Sequence, residues 1–183
     1  MPPQKQRKVA LMGSRAVGKS TVTVRFVDDL FVESYNPTIE NTFHKVIKFR
    51  GEEFNTEIVD TAGQDEYSIF QRQYSVGIHG YILVYSVTSK SSFEMVKVIN
   101  DKILNALGTD YVPRVLVGNK TDLYIERQIT TEEGRALAAQ WKCAFVETSA
   151  KNNENIVAIF TSLLSEIQQD AMPEEQSESC VLL

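Results

Sequence analysis

The chain has 183 residues, enough for one substantial hydrophobic core and too few for two ordinary domains. Apolar residues make up 43% of it and charged residues 23%, a composition that excludes a wholly disordered chain and a fibrous repeat. The formal net charge of −5 argues against the broad basic face of a nucleic-acid-binding protein, so we expect no nucleic-acid partner.

Cysteine usage and the length of the apolar runs bear on the compartment. Only Cys143 and Cys180 are present, and Cys180 lies in a polar C-terminal segment, so no disulfide framework is indicated. The polar start lacks the apolar region of a signal peptide. The longest apolar run, residues 80–87, is far below the roughly 18 residues of a membrane-spanning helix. We therefore expect a chain made and kept in the cytosol.

Short apolar runs without alternation predict strands that are buried on both faces, as in a parallel sheet. These runs are residues 8–13, 80–87 and 111–118. Residues 43–49 alternate instead, and a turn at 50–53 leads into the strand-like residues 54–60. This part of the chain therefore predicts an antiparallel hairpin.

Apolar residues at spacings of three and four predict helices between and after these strands. One pattern runs from Phe93 to Leu107, and another runs from Ile156 to Ile167 after a polar cluster, residues 151–154, that can cap it. Strands alternating with helices predict an α/β fold with a mostly parallel sheet, helices on both faces and a ligand site at the carboxyl ends of the strands. We expect one domain over residues 1–170 and a flexible acidic tail over 171–183.

The segment Gly13-Ser-Arg-Ala-Val-Gly-Lys-Ser20 follows a predicted strand and opens a predicted helix. That is the context of a phosphate-binding loop, in which glycines let backbone N–H groups approach phosphate oxygens. Lys19 would reach the β- and γ-phosphates, and Ser20 would offer a hydroxyl to Mg²⁺. The alternative is a glycine-rich turn with an incidental lysine.

A second motif, Asp60-Thr-Ala-Gly-Gln64, stands at the end of the hairpin's second strand. Asp60 is placed to hold Mg²⁺ through a water, Gly63 to bring an N–H to the γ-phosphate and Gln64 to orient an attacking water. Alone, the motif could also be an ordinary exit from a strand into a turn.

A third motif, Asn119-Lys-Thr-Asp122, follows the third apolar run directly. A carboxylate such as Asp122 can accept hydrogen bonds from both N1–H and the exocyclic amino group of guanine, and adenine lacks this pair of donors. Ser149-Ala-Lys151 follows a strand-like segment and could close the base pocket, although three such residues after a strand can also be a plain loop.

These motifs, together with Tyr35-Asn-Pro-Thr38, occur in an order and spacing that resemble the small GTPases of the Ras superfamily over nearly the whole chain. Arg15 and the stretches YNPTIENTF and DTAGQDEYSIF are most similar to the Rheb branch. The resemblance implies a six-stranded sheet, with one antiparallel pair and five flanking helices. It also implies binding of GTP or GDP with Mg²⁺, and slow hydrolysis of GTP to GDP in a switch cycle.

The resemblance also assigns roles to individual residues. Ser20 and Thr38 would be direct magnesium ligands and Asp60 a ligand through water, although Thr38 could instead be a turn residue after Pro37. The catalytic residues it implies are Gln64, Lys19 and Tyr35.

Nucleotide contacts follow from the same resemblance. Phe31 would lie against the guanine, Val32 near the ribose and Tyr35 over the phosphates, whereas Phe31 and Val32 could instead pack beneath a loop. The implied nucleotide-binding residues are Ser14, Arg15, Ala16, Val17, Gly18, Lys19, Ser20, Thr21, Phe31, Val32, Tyr35, Thr38, Gly63, Asn119, Lys120, Asp122, Ser149, Ala150 and Lys151.

Two segments, residues 31–42 and 61–76, correspond to the switch segments, which the γ-phosphate orders and its loss releases. We call them switch I and switch II. Switch II carries four large side chains that either face out and form an effector surface or pack inward. They are Tyr67, Ile69, Phe70 and Tyr74.

Arg15 has three interpretations. It could act as an internal arginine finger, which would accelerate hydrolysis about 10³- to 10⁵-fold, or it could be an exposed residue at the rim. Because Ras proteins have a glycine at the matching place, it could also crowd out the finger of a Ras-type activating protein.

The C-terminal Cys180-Val-Leu-Leu is typical of a prenylation site, so a prenyltransferase is an expected partner. The final leucine favours geranylgeranyl, whereas the resemblance favours farnesyl. No Lys or Arg follows Lys151, so one lipid chain without basic residues predicts reversible attachment. We expect the cytoplasmic face of endomembranes (lysosome, Golgi or endoplasmic reticulum), with a cytosolic pool.

By resemblance the chain would be a monomer whose effector is the TOR kinase complex and whose deactivator is a tuberin-type GTPase-activating protein. Two other classes remain open. A phosphoryl-transferring kinase would leave the motif at 119–122 unexplained, and a nucleotide-locked adaptor would hydrolyse GTP at a negligible rate.

Overall fold

A computed structural model describes residues 3–172, and these residues form one six-stranded sheet with helices on both faces. The strands are β1 Lys5–Gly13, β2 Glu40–Phe49, β3 Glu52–Thr61, β4 Gly80–Ser86, β5 Arg114–Asn119 and β6 Ala144–Glu147. The helices are α1 Lys19–Asp28, α2 Lys90–Leu107, α3 Thr131–Trp141 and α4 Ile156–Ala171. Two single-turn 3-10 helices, Arg72–Tyr74 and Tyr124–Glu126, lie in connections.

The strand order is β2-β3-β1-β4-β5-β6. Every neighbouring pair is parallel except β2 and β3, which are antiparallel in the predicted hairpin. The predicted α/β fold, mostly parallel with one antiparallel pair, is therefore confirmed. Because β1, β4 and β5 run the same way, their carboxyl ends meet at one edge of the sheet, where the predicted motifs stand.

Two hydrophobic clusters cover the two faces of the sheet. One lies under α1 and α4, where the rings of Phe26 and Phe160 stack with centroids 3.8 Å apart. The other lies under α2 and α3, where Phe93 and Tyr85 meet edge to face. Since β4 is buried along its whole length, its side chains contribute to both clusters, which is why its sequence shows no alternation.

The hairpin follows its predicted alternation, with Ile47 buried and Val46 exposed. Its turn is shorter than predicted, because β3 begins at Glu52 and only Arg50 and Gly51 lie outside the strands. Both have positive φ, 51° and 76°, which is the conformation of the two-residue turn that matches strand twist.

The helices depart from expectation in three places. Among residues 3–172 there are four α-helices, so the fifth that the resemblance implied is absent from them. The segment between β3 and β4 holds only the 3-10 turn at Arg72–Tyr74, because Tyr67 and Ile69 are exposed and leave too little apolar surface for a helix to bury.

Helix α3 was missed altogether, although Thr130 and Glu133 carry the sequence signature of the capping box that starts it. The predicted cap of α4 is wrong: no side chain caps this helix, and Asn155, which precedes it, donates from Nδ2 to the carbonyl oxygen of Glu147 instead. No helix in the described part of the chain has the length and apolar character needed to cross a bilayer.

Candidate functional site

A cavity of about 500 Å³ opens at the edge of the sheet where β1 and β5 end. Sixteen of the predicted nucleotide-binding residues line it: Arg15, Ala16, Gly18, Lys19, Ser20, Thr21, Phe31, Val32, Tyr35, Thr38, Gly63, Asn119, Lys120, Asp122, Ala150 and Lys151. Ser14, Val17 and Ser149 are not among the lining residues. Residues far apart in the chain are thus brought around one space.

The loop between β1 and α1 passes close to its neighbours, and this explains its glycines. Gly18 has φ of +97°, in the range that favours glycine, and a Cβ there would overlap Nδ2 of Asn119. A Cβ at Gly13 would overlap the carbonyl oxygen of Val84. Helix α1 begins directly after this loop. The N–H groups of its first turn have no partner within the helix, and they face the edge of the cavity.

Lys19 is a buried cation at the floor of the cavity. Its Nζ donates to the carbonyl oxygens of Gly13 at 3.1 Å and Ser14 at 2.9 Å. Burial lowers the pKa of Lys19 to about 8, and the nearby Asp60 carboxylate partly opposes this effect. An ammonium has three N–H donors, so one remains for an anion in the cavity.

Three oxygen-bearing side chains meet beside Lys19. Ser20 Oγ donates to Asp60 Oδ2 at 2.5 Å, and it lies 2.5 Å from Thr38 Oγ1. Asp60 is completely buried, and among the described residues its Oδ1 has no hydrogen-bond partner. Burial raises the pKa of Asp60, while the hydrogen bond from Ser20 and the charge of Lys19 oppose the rise.

This set of groups fits a magnesium ion. Mg²⁺ prefers oxygen ligands, and two hydroxyls beside a carboxylate provide them. The unpartnered Oδ1 of Asp60 gives an independent reason, because a buried carboxylate oxygen without a donor is costly unless a cation or an ordered water meets it.

The other end of the cavity carries Asp122. Its Oδ1 accepts a hydrogen bond of 2.7 Å from Ser149 Oγ, which in turn accepts one of 3.0 Å from the backbone N–H of Asn152. Ser149 therefore orients a carboxylate that lines the cavity, rather than lining it itself.

Asn119, which lines the cavity, ties three loops together. Its Nδ2 donates to the carbonyl oxygen of Val17 at 3.0 Å, and its Oδ1 accepts from Thr148 Oγ1 at 3.1 Å and from the Ala150 N–H at 3.4 Å. The phosphate-loop end and the Asp122 end of the cavity are thus held in a defined relation. The role of Thr148 was not predicted, although it directly precedes Ser149.

Lys120 also links the Asp122 end of the cavity to the phosphate-loop end, on the side nearer to solvent. Its Nζ donates to the carbonyl oxygen of Ala16 at 2.6 Å, so its aliphatic chain runs along the cavity wall. Burial lowers its pKa, and the charges of Asp122 and Glu126 oppose this. Together Asn119 and Lys120 make two parallel cross-links to the phosphate loop.

The three predicted catalytic residues do not meet in one place. Lys19 and Tyr35 line the cavity, with Tyr35 59% exposed. Gln64 is only 8% exposed and does not line it. Its backbone N–H donates to the Gly13 carbonyl at 3.0 Å, and its side-chain amide lies 3.9 Å from the sulfur of Met12.

Arg15 lies exposed at the cavity rim, and its backbone packs against Gly63 so closely that a Cβ there would overlap it. A hydrogen bond from Ser68 holds the pKa of Asp65 below its ordinary value, and the charge of Arg15 contributes to this. Of the three interpretations, this position agrees best with a rim residue.

The large side chains of switch II divide between the two interpretations. Tyr67 and Ile69 are 84% and 87% exposed, whereas Tyr74 is buried and Phe70 packs partly buried beside it.

Switch I adds cavity-lining residues that were not singled out, namely Glu33, Ser34 and Asn36, and Leu123 follows Asp122 at the other end of the cavity. Each of these four residues stands beside a predicted site residue in the chain, and this adjacency was the signal in the sequence that could have identified them.

Comparison with known proteins gives concordant matches. The model of the Ras family matches residues 8–169. Over the full length of both chains, the sequence is 59% identical to "GTP-binding protein rhb1" of Schizosaccharomyces pombe and 58% identical to "GTP-binding protein Rheb homolog" of Dictyostelium discoideum. It is 52% identical to human "GTP-binding protein Rheb", again over all of both chains.

Proposed function

This chain belongs to the Ras family, and we propose that the cavity between the phosphate loop and Asp122 is where it binds and hydrolyses GTP. The chain is a GTPase that acts as a switch and binds GTP or GDP with Mg²⁺. The single observation that carries the site assignment is the convergence of Lys19, the Ser20–Thr38–Asp60 cluster and Asp122 on one space.

At the phosphate end, Lys19 would donate to the β- and γ-phosphate oxygens, and the N–H groups of the loop and of the first turn of α1 would bind the remaining oxygens. Ser20 and Thr38 would hold Mg²⁺ directly, with Asp60 behind a water. A magnesium ion held by these residues would supply positive charge that stabilises the negative charge of the phosphates during hydrolysis.

At the base end, Asp122 would accept from N1–H and the amino group of guanine, with its orientation set by Ser149. The Lys120 chain, Ala150 and Lys151 would contact the base from the sides, and Phe31 would lie at its edge. Adenine would leave the half-buried carboxylate without its donors, so selection for guanine should be strong.

The position of Gln64 bears on the rate. A glutamine that orients the attacking water must reach the γ-phosphate, whereas here its side chain is turned toward Met12. Slow intrinsic hydrolysis, by positioning and charge alone, agrees with this arrangement.

Single-turnover hydrolysis tests the assignment. The purified chain, incubated with Mg²⁺ and either GTP or ATP, should bind GTP and convert it to GDP slowly, and it should not bind ATP. A tuberin-type activating protein should accelerate the reaction. Equal use of ATP would indicate a kinase instead, and hydrolysis that stays negligible with the activator would indicate a nucleotide-locked adaptor.

The partners follow from the same proposal. Small GTPases act through effectors, and we infer that the effector here is the TOR kinase complex, as the resemblance to the Rheb branch implies. The exposed Ile39 of switch I and the exposed Tyr67 and Ile69 of switch II support an effector surface across residues 31–42 and 61–76. We also propose that residues 1–170 form one domain and that the protein acts as a monomer.

The membrane anchor would be Cys180, which lies outside the described residues. We propose that a prenyltransferase attaches one geranylgeranyl or farnesyl chain there and directs the protein to the cytoplasmic face of endomembranes such as the lysosome, Golgi or endoplasmic reticulum, with a cytosolic pool. The predicted tail, residues 171–183, falls outside the described residues from position 173 onward, and its first residue, Ala171, is the last residue of α4.

We expect Cys180→Ser to move the protein entirely into the soluble fraction of cell lysates, because one lipid chain provides the only strong attraction to the bilayer. Cys143→Ser makes the same chemical change at a partly buried position beside α3 and should leave the membrane fraction unchanged. Persistence of Cys180→Ser on membranes would contradict the anchor.

A further inference from the structure

Lys102, a partly buried residue of α2, contacts the backbone of switch II. Its Nζ donates to the carbonyl oxygens of Asp65 at 3.3 Å, Glu66 at 3.0 Å and Ser68 at 2.7 Å. We call residues 65–68 the clamped segment. It lies 34 to 37 positions before Lys102 in the chain, so the contact is purely tertiary.

The number of donors matches the number of acceptors. An ammonium group has three N–H donors, and each of the three carbonyl oxygens takes one. In the part of the chain that the structure describes, no carboxylate lies within 4.0 Å of Lys102 Nζ, whereas Lys97 on the same helix pairs with Glu94 at 2.9 Å. Lys102 is therefore committed to the backbone of switch II rather than to an ion pair.

Burial does little to hold the clamped segment. Asp65, Glu66 and Tyr67 are exposed, and Ile69, which follows the segment, is exposed as well. The other hydrogen bonds of the segment among the described residues are internal, such as Ser68 Oγ to Asp65 Oδ1 at 2.9 Å. Lys102 is thus the contact that ties its carbonyl groups to the body of the fold.

Gln64 directly precedes the clamped segment and is turned away from the cavity. Its N–H is bonded to the Gly13 carbonyl at 3.0 Å, and its amide points to Met12. A tether at Gly13 on one side and at Lys102 on the other leaves this short piece of backbone little freedom. The Asp65 carbonyl that Lys102 holds belongs to the residue next to Gln64, so the two tethers bracket the backbone from which the Gln64 side chain departs.

We propose that Lys102 is a positioning residue that holds the clamped segment in the conformation in which Gln64 stays outside the cavity, and thereby limits the intrinsic rate of GTP hydrolysis. This proposal rests on the proposed GTPase function. It assigns the slow state of the site to a contact made outside the nucleotide cavity, by a helix that carries none of the nucleotide motifs.

The test is single-turnover GTP hydrolysis by Lys102→Met in the full chain with Mg²⁺. Methionine keeps most of the length of the side chain, being one atom shorter, and removes the three donors. If the conformation with Gln64 in the cavity is populated at about a tenth in the wild type, freeing the segment should raise the rate several-fold, up to a limit of about tenfold when the shift is complete. Lys97→Met removes the same charge from the same helix without touching switch II and should leave the rate unchanged.

A double variant separates positioning from a general structural effect. If Lys102 acts through Gln64, adding Lys102→Met to Gln64→Ala should produce no acceleration over Gln64→Ala alone. An unchanged or lower rate in the single variant, or an equal acceleration in the Gln64→Ala background, would overturn the proposal. Should Lys102→Met unfold, as judged by circular dichroism, Lys102→Glu makes the same comparison with a polar side chain that has no N–H donor.

The experiment tests the GTPase assignment and the positioning role of Lys102 separately. Hydrolysis of GTP and not ATP by the wild type tests the GTPase assignment by itself. The effect of Lys102→Met is then read only as a ratio to that wild-type rate, so an unaltered ratio would remove the positioning role and leave the assignment intact.

Discussion

Replacing Asp122 by asparagine should lower the affinity of the chain for GTP and GDP by about 10⁴-fold. The carboxylate has two acceptor oxygens, and guanine presents two donors, N1–H and the amino group. Asparagine keeps one acceptor and places an NH₂ donor against the amino group, so a donor faces a donor in a half-buried pocket.

The same variant should gain affinity for xanthosine triphosphate. Xanthine carries a carbonyl oxygen where guanine has the amino group, and this oxygen can accept from the new NH₂. Ser149 Oγ, which donates to Asp122 Oδ1 at 2.7 Å, can orient the asparagine oxygen in the same way. The loss of affinity for GTP and the gain of affinity for xanthosine triphosphate therefore have one cause, because the substitution replaces one acceptor of the pocket by a donor.

Competition against a fluorescent GDP analogue, with GTP and xanthosine triphosphate as competitors, measures both effects. Asp110→Asn makes the same substitution at an exposed position outside the cavity lining and should change neither affinity. An Asp122→Asn protein that keeps wild-type affinity for GTP would show that the base lies elsewhere.

Lys19→Met should weaken GDP and GTP binding by about 10²- to 10⁴-fold, which corresponds to about 3–5 kcal/mol for removing one partner of a buried charge pair. The ammonium is buried at the cavity floor and has one donor free from the carbonyls of Gly13 and Ser14. Methionine fills the same space without charge, so the phosphates would lose a cation while the cavity keeps its shape.

The lowered pKa of Lys19, about 8, adds a pH dependence. In the free protein Lys19 loses its proton as the pH rises through about 8, whereas phosphates beside it would raise its pKa and keep the proton bound. Binding then takes up a proton, so the affinity of the wild type should fall above pH 8, by at most about tenfold per pH unit.

Isothermal titration with GDP between pH 7 and pH 9.5, in buffers of different ionisation enthalpy, measures both the affinity and the proton uptake. Lys19→Met should remove the part of the pH slope that Lys19 contributes, leaving any contribution from Lys120, whose pKa is also lowered. Equal slopes in the two proteins would contradict the assignment of this proton to Lys19.

Much of the sheet was predictable because its strands carry their own signal. β4 is buried on both faces and is apolar throughout, while β2 alternates because its outer face meets solvent. Helix α3 was harder to recognise, since its apolar face is formed largely by small residues around Gly134 and Ala138. Its capping box, Thr130 with Glu133, was the signal that was overlooked.

The arrangement of switch II was not predictable in the same way. The sequence offered four large side chains without deciding between core and surface, and the structure buries Tyr74 while exposing Tyr67 and Ile69. The resemblance implied five helices, whereas the described residues contain four and hold only a 3-10 turn in this segment. A short segment adopts whatever conformation its neighbours stabilise, so its own propensity is a weak guide.

The sequence by itself determined the motifs on which the proposed chemistry of the site rests, because the patterns at residues 13–20 and 119–122 are local and are recognisable from a few adjacent residues. Only the tertiary structure decided which of these residues face the cavity. Gln64 is turned to Met12, Ser149 stands behind Asp122, and Lys102 reaches a backbone segment more than thirty residues away. Such contacts depend on how distant elements pack, and no short stretch of sequence encodes that.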